Sequence, residues 1–437
     1  MPLHVLTDAN VLDILLGLSY QDVIDVGNVL AEALHEYSTG DTNTPCCASF
    51  QPPRTILTKK NITSIFMPAS TGSSIGMKVV SVDTPGGGSS NASTMSKKSS
   101  ISSATSGIDA LDLTPASTES SSASSISGES FRPASFIAGR QGTAPKGVLT
   151  VMDPVGNAQG VINAEEVTAF RTALCATSLL KRRDKVHTIT VFGAGKQAYW
   201  HIRLALMLRA EDIHHVNIIN RSVERAIKLM KRFQPGNGGL REWSRVKFSA
   251  VSPEFVDYGR LLKEEVRNAD VIFCCTPSTE PLFPHEFLTS REGQRKGRYI
   301  SAIGSFAPHM IELHPEILRN AVKSHHGHKH HHKHARQEGV IIVDTLDGCL
   351  RDAGEVIQAK LTPDQLVEVG ELLMVKKSVM EELQAGGDHP EPGLLEWMTK
   401  GNVIYKGVGL GLMDLVVGSE LIRLGRERNI GTTIPDF

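Results

Sequence analysis

Residues 187–209 read HTITVFGAGKQAYWHIRLALMLR. Ile189, Val191 and Phe192 make a short apolar run rich in β-formers, as a buried strand requires. Gly193-Ala194-Gly195 breaks the run. From Lys196 the chain reads as a helix, with Ala198, Ile202 and Ala205 toward its buried side. Strand, glycine turn and helix together make a dinucleotide-binding unit. Gly193 allows the tight turn, and Gly195 lets the backbone approach a pyrophosphate. The helix N-terminus offers free N–H groups and a positive dipole to the anion. Ala198 replaces the third glycine of the usual fingerprint. Alone, GxGxxA is compatible with a chance turn; the strand before it and the helix after it favour a cofactor site. Residues 216–219 form the next apolar run, which ends at Asn220-Arg221-Ser222. An NAD site usually carries Asp or Glu there for the ribose 2′-hydroxyl. Arg221 and Ser222 suit a 2′-phosphate instead, so NADP(H) is favoured over NAD(H). Ser222 also suits the cap of the next helix, expected over 223–233.

At 437 residues the chain can hold two domains of ordinary size. A net charge of −1 gives no global pull toward nucleic acid or an anionic membrane. The six cysteines show no metal-ligand spacing. Cys46-Cys47 and Cys274-Cys275 are adjacent pairs, and Cys175 and Cys349 stand alone, which suits free thiols in a reducing compartment. The N-terminus lacks a signal-peptide pattern, and no apolar run is long enough to span a bilayer. The expectation is a soluble cytoplasmic protein.

Along the chain, residues 4–7 read as a strand, with Asp8 opening a turn. Ser19 and Asp22 have capping-box spacing ahead of an amphipathic helix with Val23, Val26, Leu30 and Leu34 on its apolar side. Residues 62–67 and 76–82 read as strands. Arg54 and Lys78 lie on strand-like segments among apolar neighbours, so each either snorkels to the surface or awaits an anion. Residues 84–135 are dominated by Ser, Thr, Gly and Ala and read as a disordered insert. Strands follow at 147–153 and 161–162, then a helix from Ala164 that carries Arg171, for which a salt bridge to Glu165 or Glu166 is the simple account. Further strands are expected at 246–249, 269–274, 299–303 and 340–344. Ligands of a doubly wound sheet sit beyond the carboxyl ends of its strands, which makes Thr276, Ser278, Ile303, Gly304 and Ser305 candidates to border the nicotinamide and ribose. The tract 325–334, with seven histidines and two lysines, has no fixed ligand scaffold and reads as a low-complexity loop; no metal site is expected. Thr362-Pro363-Asp364-Gln365 has helix-start spacing, and a helix over 412–428 carries Asp414 in its first turn, where a carboxylate complements the dipole.

The assembled motifs resemble the ornithine cyclodeaminase/μ-crystallin family. The pieces are PPRTIL, IFMPAS with GMKVVSV, GVLTVMDPVGNAQGVINAEEVTAFRTA, VFGAGKQA, ADVIFCCTPS, SAIGSFAPHMIEL and VGLGLMDL, in the family's order. The resemblance implies an α/β fold: a Rossmann-type NAD(P)-binding domain, residues 186–346, inserted in a discontinuous α+β substrate and dimerisation domain, residues 1–83, 136–185 and 347–437. It implies a homodimer. It also implies that Arg54, Lys78 and Arg171 surround the substrate's α-carboxylate. Thr172 and the loop Gly193-Ala194-Gly195-Lys196-Gln197 match cofactor contacts. Three positions depart from the family pattern. Phe306 stands where cyclodeaminases carry an Asp thought to activate the substrate amine and water, and a phenyl ring can take no proton. Met310 replaces a lysine, and Gly407 replaces a common serine.

The expected activity is therefore an NAD(P)H-dependent oxidoreductase on the C–N bond of a small amino or imino acid. Lys78 is the favoured proton donor, provided burial lowers its pKa. The competing readings are an ornithine cyclodeaminase, which Phe306 disfavours, and an NADP-binding protein without catalysis.

Overall fold

The computed structural model describes residues 2–40, 51–60, 62–83, 146–323, 339–373 and 392–437. The serine-rich segment 84–135, the histidine tract 325–334 and Cys46-Cys47 lie outside the described residues.

The residues that follow the glycine-turn strand build an eight-stranded sheet. Its order is Leu366–Glu368, Ile341–Val343, Val403–Lys406, Tyr299–Ala302, Val271–Cys274, Thr188–Phe192, His215–Ile219 and Lys247–Val251. Every pairing is parallel. Such a sheet must be covered on both faces, and its strands are apolar on both. Val191, Val271, Phe273, Val403 and Tyr405 belong to one core cluster. Phe192, Ile272, Cys274, Ile300 and Ile404 belong to the cluster on the opposite side. The sheet is doubly wound, as the alternating strands and helices imply.

The second sheet has seven strands: Thr432–Ile434, Leu3–Leu6, Ala158–Asn163, Lys146–Met152, Ile75–Asp83, Ile62–Ser70 and Thr55–Lys59. It is antiparallel except where Leu3–Leu6 runs parallel to Ala158–Asn163. Strand Ile75–Asp83 alternates as a half-buried strand should: Gly76, Lys78 and Val80 face inward, Ile75 and Met77 outward. The helices Ala164–Ser178 and Gly411–Glu427 cross its inner face and share one core with the parallel sheet. The helix Tyr20–Thr39 starts at the expected box: Asp22 N–H donates to Ser19 Oγ (3.1 Å), and Ser19 N–H donates to Asp22 Oδ2 (2.7 Å).

Four elements differ from the sequence reading. Asp8 opens a helix, Asp8–Leu16, with its own Thr7 box rather than a simple turn. The Thr362 box opens a single 3₁₀ turn, Pro363–Gln365, which gives way to strand Leu366–Glu368. That strand and Val403–Lys406 lie in the parallel sheet, although residues 347–437 were expected in the other domain. Arg54 precedes strand Thr55–Lys59 instead of lying on it. Among the described residues no single helix is long and apolar enough to cross a membrane.

Candidate active site

The glycine turn forms where the strand Thr188–Phe192 must reverse into the helix Lys196–Arg209. Gly193 has φ +110°, and a Cβ there would sit 2.9 Å from Cys275 O and 3.1 Å from Thr276 Cγ2. Only glycine fits that conformation and that approach. Gly195 is the N-cap; it is exposed and faces open space. The first N–H groups of a 14-residue helix therefore have no side-chain cap, and the residues fit a pyrophosphate. Ala194 is half-buried against the core. Gln197 Nε2 reaches Thr168 O only at 3.5 Å, and its buried Oε1 has no hydrogen-bond partner among the described residues. Thr172 donates to Thr168 O (2.8 Å), so its hydroxyl oxygen keeps accepting capacity. Lys196 does not point its charge at the turn. Its Nζ lies 2.8 Å from Glu166, 3.1 Å from Glu165 and 3.8 Å from Asp8.

At the end of strand His215–Ile219 the chain folds into the expected polar turn. Asn220 Nδ2 donates to Ser222 O (2.8 Å), and Arg225 N–H donates to Ser222 Oγ (3.3 Å). Ser222 caps the helix Val223–Lys231. Arg221 is exposed, and its carbonyl accepts from Ser252 Oγ (2.9 Å).

Lys78 and Arg171 come together from distant parts of the chain. Strand Ile75–Asp83 brings Lys78, and helix Ala164–Ser178 brings Arg171. Both end on Asp414, in the first turn of helix Gly411–Glu427. Lys78 Nζ donates to Asp414 Oδ1 at 2.8 Å, and Arg171 Nε to the same oxygen at 3.2 Å. Arg171 Nη2 lies 3.2 Å from Asp414 Oδ2, without the alignment of a hydrogen bond. All three residues are buried. Burial pulls the Lys78 ammonium down to about 8; Asp414 opposes that shift and Arg171 adds to it. Asp414 thus does more than complement a dipole, and Arg171 does not pair with Glu165 or Glu166. Arg54 pairs with Asp352, not with Asp414.

The turn 407–411 covers Arg171. Gly409 has φ +96°, and a Cβ there would lie 3.1 Å from Arg171 Nη2. The buried Asp344 carboxylate holds this turn, accepting from Val408 N–H (3.1 Å) and Gly409 N–H (2.7 Å). Gly407 N–H donates to Ala302 O (3.1 Å), so the turn starts beside the end of strand Tyr299–Ala302. Ile303 N–H donates to Cys274 O (3.1 Å), and Glu312 accepts from both Thr276 N–H and Gly304 N–H. The glycine turn, Thr276, Gly304 and the cover of Arg171 are thereby stitched along adjacent strand ends. Ser278 is fully buried, and its hydroxyl donates to Glu280 O (2.6 Å), so it serves its own turn. Phe306 is exposed and Met310 is buried.

The sequence reading missed Glu312, Asp344, Glu355 and Lys406, and gave Asp414 a lesser part. One signal was available. Glu312 in MIEL, Asp414 in LMDLVV and Lys406 in VIYKGVG are lone charges inside apolar runs. A charge in such a run is buried and therefore paired. Among the described residues no group of three or more His, Cys, Asp or Glu is placed to hold a metal ion.

A parallel sheet wound on both faces, with an uncapped glycine turn at its carboxyl edge, makes this a Rossmann-type α/β protein. Within that class the chain belongs to the ornithine cyclodeaminase/mu-crystallin family, whose model matches residues 90–367. It is similar to an uncharacterized protein of Saccharomyces cerevisiae, 29% identical over 65% of this chain and 75% of the relative. It is also similar to ketimine reductase mu-crystallin of Mus musculus, 27% identical over 64% of this chain and 71% of the relative. Δ1-Pyrroline-2-carboxylate reductase of Thermococcus litoralis, solved with NADH and L-proline, shares the fold, with a TM-score of 0.63 at 16% identity over 99% of this chain and 100% of that one.

Proposed function

We propose that the protein is an NAD(P)H-dependent imine reductase acting on a small cyclic or open imino acid, with NADP(H) preferred over NAD(H). The observation that carries the reading is the buried Lys78–Asp414–Arg171 group beside the strand ends. Two cations share one carboxylate, so a positive charge remains for a substrate carboxylate. The names of the relatives, ketimine reductase and pyrroline-2-carboxylate reductase, fall in the same chemistry. Gly193, Ala194, Gly195 and Gln197 would hold the pyrophosphate of the dinucleotide. Asn220, Arg221 and Ser222 would hold a 2′-phosphate, and Thr276, Ile303 and Gly304 would border the nicotinamide. When bound, that group supplies a hydride to the imine carbon. Arg171 orients the carboxylate. Lys78 gives a proton to the imine nitrogen, and its lowered pKa makes it a better acid near neutrality. Phe306 provides no group to activate an amine or a water, which disfavours ornithine cyclisation.

The test is NADPH oxidation with a panel of cyclic ketimine acids. The wild type should turn over, and Lys78→Met should lose about a hundredfold or more of kcat. An unchanged rate in that variant removes Lys78 from the mechanism. Proline formation from ornithine without added reductant would support the cyclodeaminase reading instead. NADPH binding without any turnover would support a non-catalytic protein.

We infer that the protein works as a homodimer. The outward face of the antiparallel sheet carries Leu57, Ile62, Ile75 and Met77, all exposed, with the half-buried Phe66 and Val79 between them. Cross-strand register puts them on one side: Leu57 opposes Ser64, Phe66 opposes Val79, and Pro68 opposes Met77. Phe66, Val79, Pro68 and Met77 form an apolar patch on this face, which the hydrogen-bonded Ser64 and Ser81 separate from Leu57 and Ile62; such a patch suits a second copy of the chain.

A further inference from the structure

We propose that Glu312 is a positioning residue for the nicotinamide end of the dinucleotide: its one carboxylate sets the spacing of the two turns that border that end. The inference rests on the dinucleotide reading above.

Strands Val271–Cys274 and Tyr299–Ala302 are neighbours, and the backbone bond from Ile303 N–H to Cys274 O (3.1 Å) carries their pairing one residue past Ala302. Glu312 takes over. Its Oε1 accepts from Thr276 N–H at 2.8 Å and its Oε2 from Gly304 N–H at 2.6 Å. The residue is fully buried, so water cannot replace either bond. Glu312 is itself held. Its N–H donates to Glu355 Oε1 (2.7 Å), and its carbonyl accepts from Leu282 N–H (2.9 Å). Glu355 also accepts from the Ser305 hydroxyl. The buried Lys406 ammonium donates to Ser305 O and Oγ, both at 2.6 Å, and lies 3.5 Å from Glu355 Oε2. Three adjacent strand ends are thus tied to one polar network, and Lys406 leads directly into the turn over Arg171.

Two N–H donors on two oxygens require an acceptor-only group. An amide nitrogen would turn a donor against one of them, and a protonated carboxyl oxygen would accept only weakly. Only the ionised carboxylate satisfies both turns. Burial pushes Glu312 up to about 7; Lys406 opposes the shift, Glu355 adds to it, and the N–H bonds from Thr276 and Gly304 oppose it. The other titratable groups facing it are Glu355, Lys406 and the thiols of Cys274 and Cys275. Burial raises both thiols well above their usual range, so they stay neutral. The clamp therefore loosens on the acid side of neutrality.

The experiment compares the full chain and its Glu312→Gln variant for binding of NADPH and of 2′,5′-ADP, which is the cofactor's adenosine end alone. The variant should bind NADPH about tenfold more weakly and 2′,5′-ADP as before. Unchanged NADPH affinity, or an equal loss for both probes as general loosening would give, overturns the inference. A second measurement needs no variant. In the wild type the ratio of NADPH affinity to that of 2′-phospho-ADP-ribose, which lacks only the nicotinamide, should fall as pH drops through about 7. The shared 2′-phosphate and pyrophosphate cancel in that ratio, and a flat ratio overturns the inference. Wild-type protein that binds neither NADPH nor NADH would instead sink the dinucleotide reading, and this inference with it.

Discussion

Lys78 keeps its ammonium in a place that water does not reach, and Asp414 is what makes that tolerable. Replacing Asp414 by Asn leaves two cations facing each other without an anion. Breaking a buried pair from one side costs about 3 kcal/mol or more, so Asp414→Asn should show a clearly lowered denaturation midpoint. Its effect on pH dependence has a definite sign. Lys78 can give a proton only below about 8, so the wild-type rate should fall as pH rises through that value. Asp414 opposes the downward pull of burial, so its loss moves the basic limb of the kcat profile to lower pH. At the other end of the cofactor, Arg221→Ala should weaken NADPH binding about tenfold and leave NADH binding unchanged, as read by titration of each. Lys78 was legible as a charge among apolar neighbours, and Arg171 stood out only through the family resemblance. Their shared anion was not legible, because a carboxylate in a helix's first turn already had a sufficient explanation. Arg54 looked the same as Lys78 in the sequence; only the fold shows that its partner is Asp352.

The turn 407–411 is the element on which the clamp depends. Gly409 holds φ +96° against the Arg171 guanidinium, and Asp344 pins the turn from below. Gly409→Ala should cost about 1 kcal/mol or more from backbone strain alone. It should also raise KM for the imino acid more than it lowers kcat, because the displaced group is Arg171; thermal melts and steady-state kinetics check the two parts. Interior strands such as Val271–Cys274 could be read directly, since both of their faces are apolar and β-rich. Val403–Lys406 could not, because it ends in a lysine and leads into glycines. Leu366–Glu368 was hidden by the helix-start chemistry of Thr362 and Pro363, which the fold spends on one 3₁₀ turn. Local propensity was right there for one turn, and sheet pairing decided the rest.

The described residues join a doubly wound sheet to a mainly antiparallel one through shared helices, and among them the outward face of the second sheet leaves Leu57, Ile75 and Met77 exposed. If a second copy covers it, the double variant Leu57→Glu, Met77→Glu should sediment as a monomer where the wild type sediments as a dimer. Both side chains point away from the core, so the variant should remain folded. Lys196 carries a consequence that reaches beyond its own helix. It stands at the threshold of the pyrophosphate cradle, yet three acids from other parts of the chain have already claimed its charge. In the proposed complex the cradle greets a dianion with amide dipoles rather than with a matching ion. A carrier held by dipoles is a tenant, not a fixture, which is what an enzyme requires of a reductant that must leave spent and be replaced at every cycle.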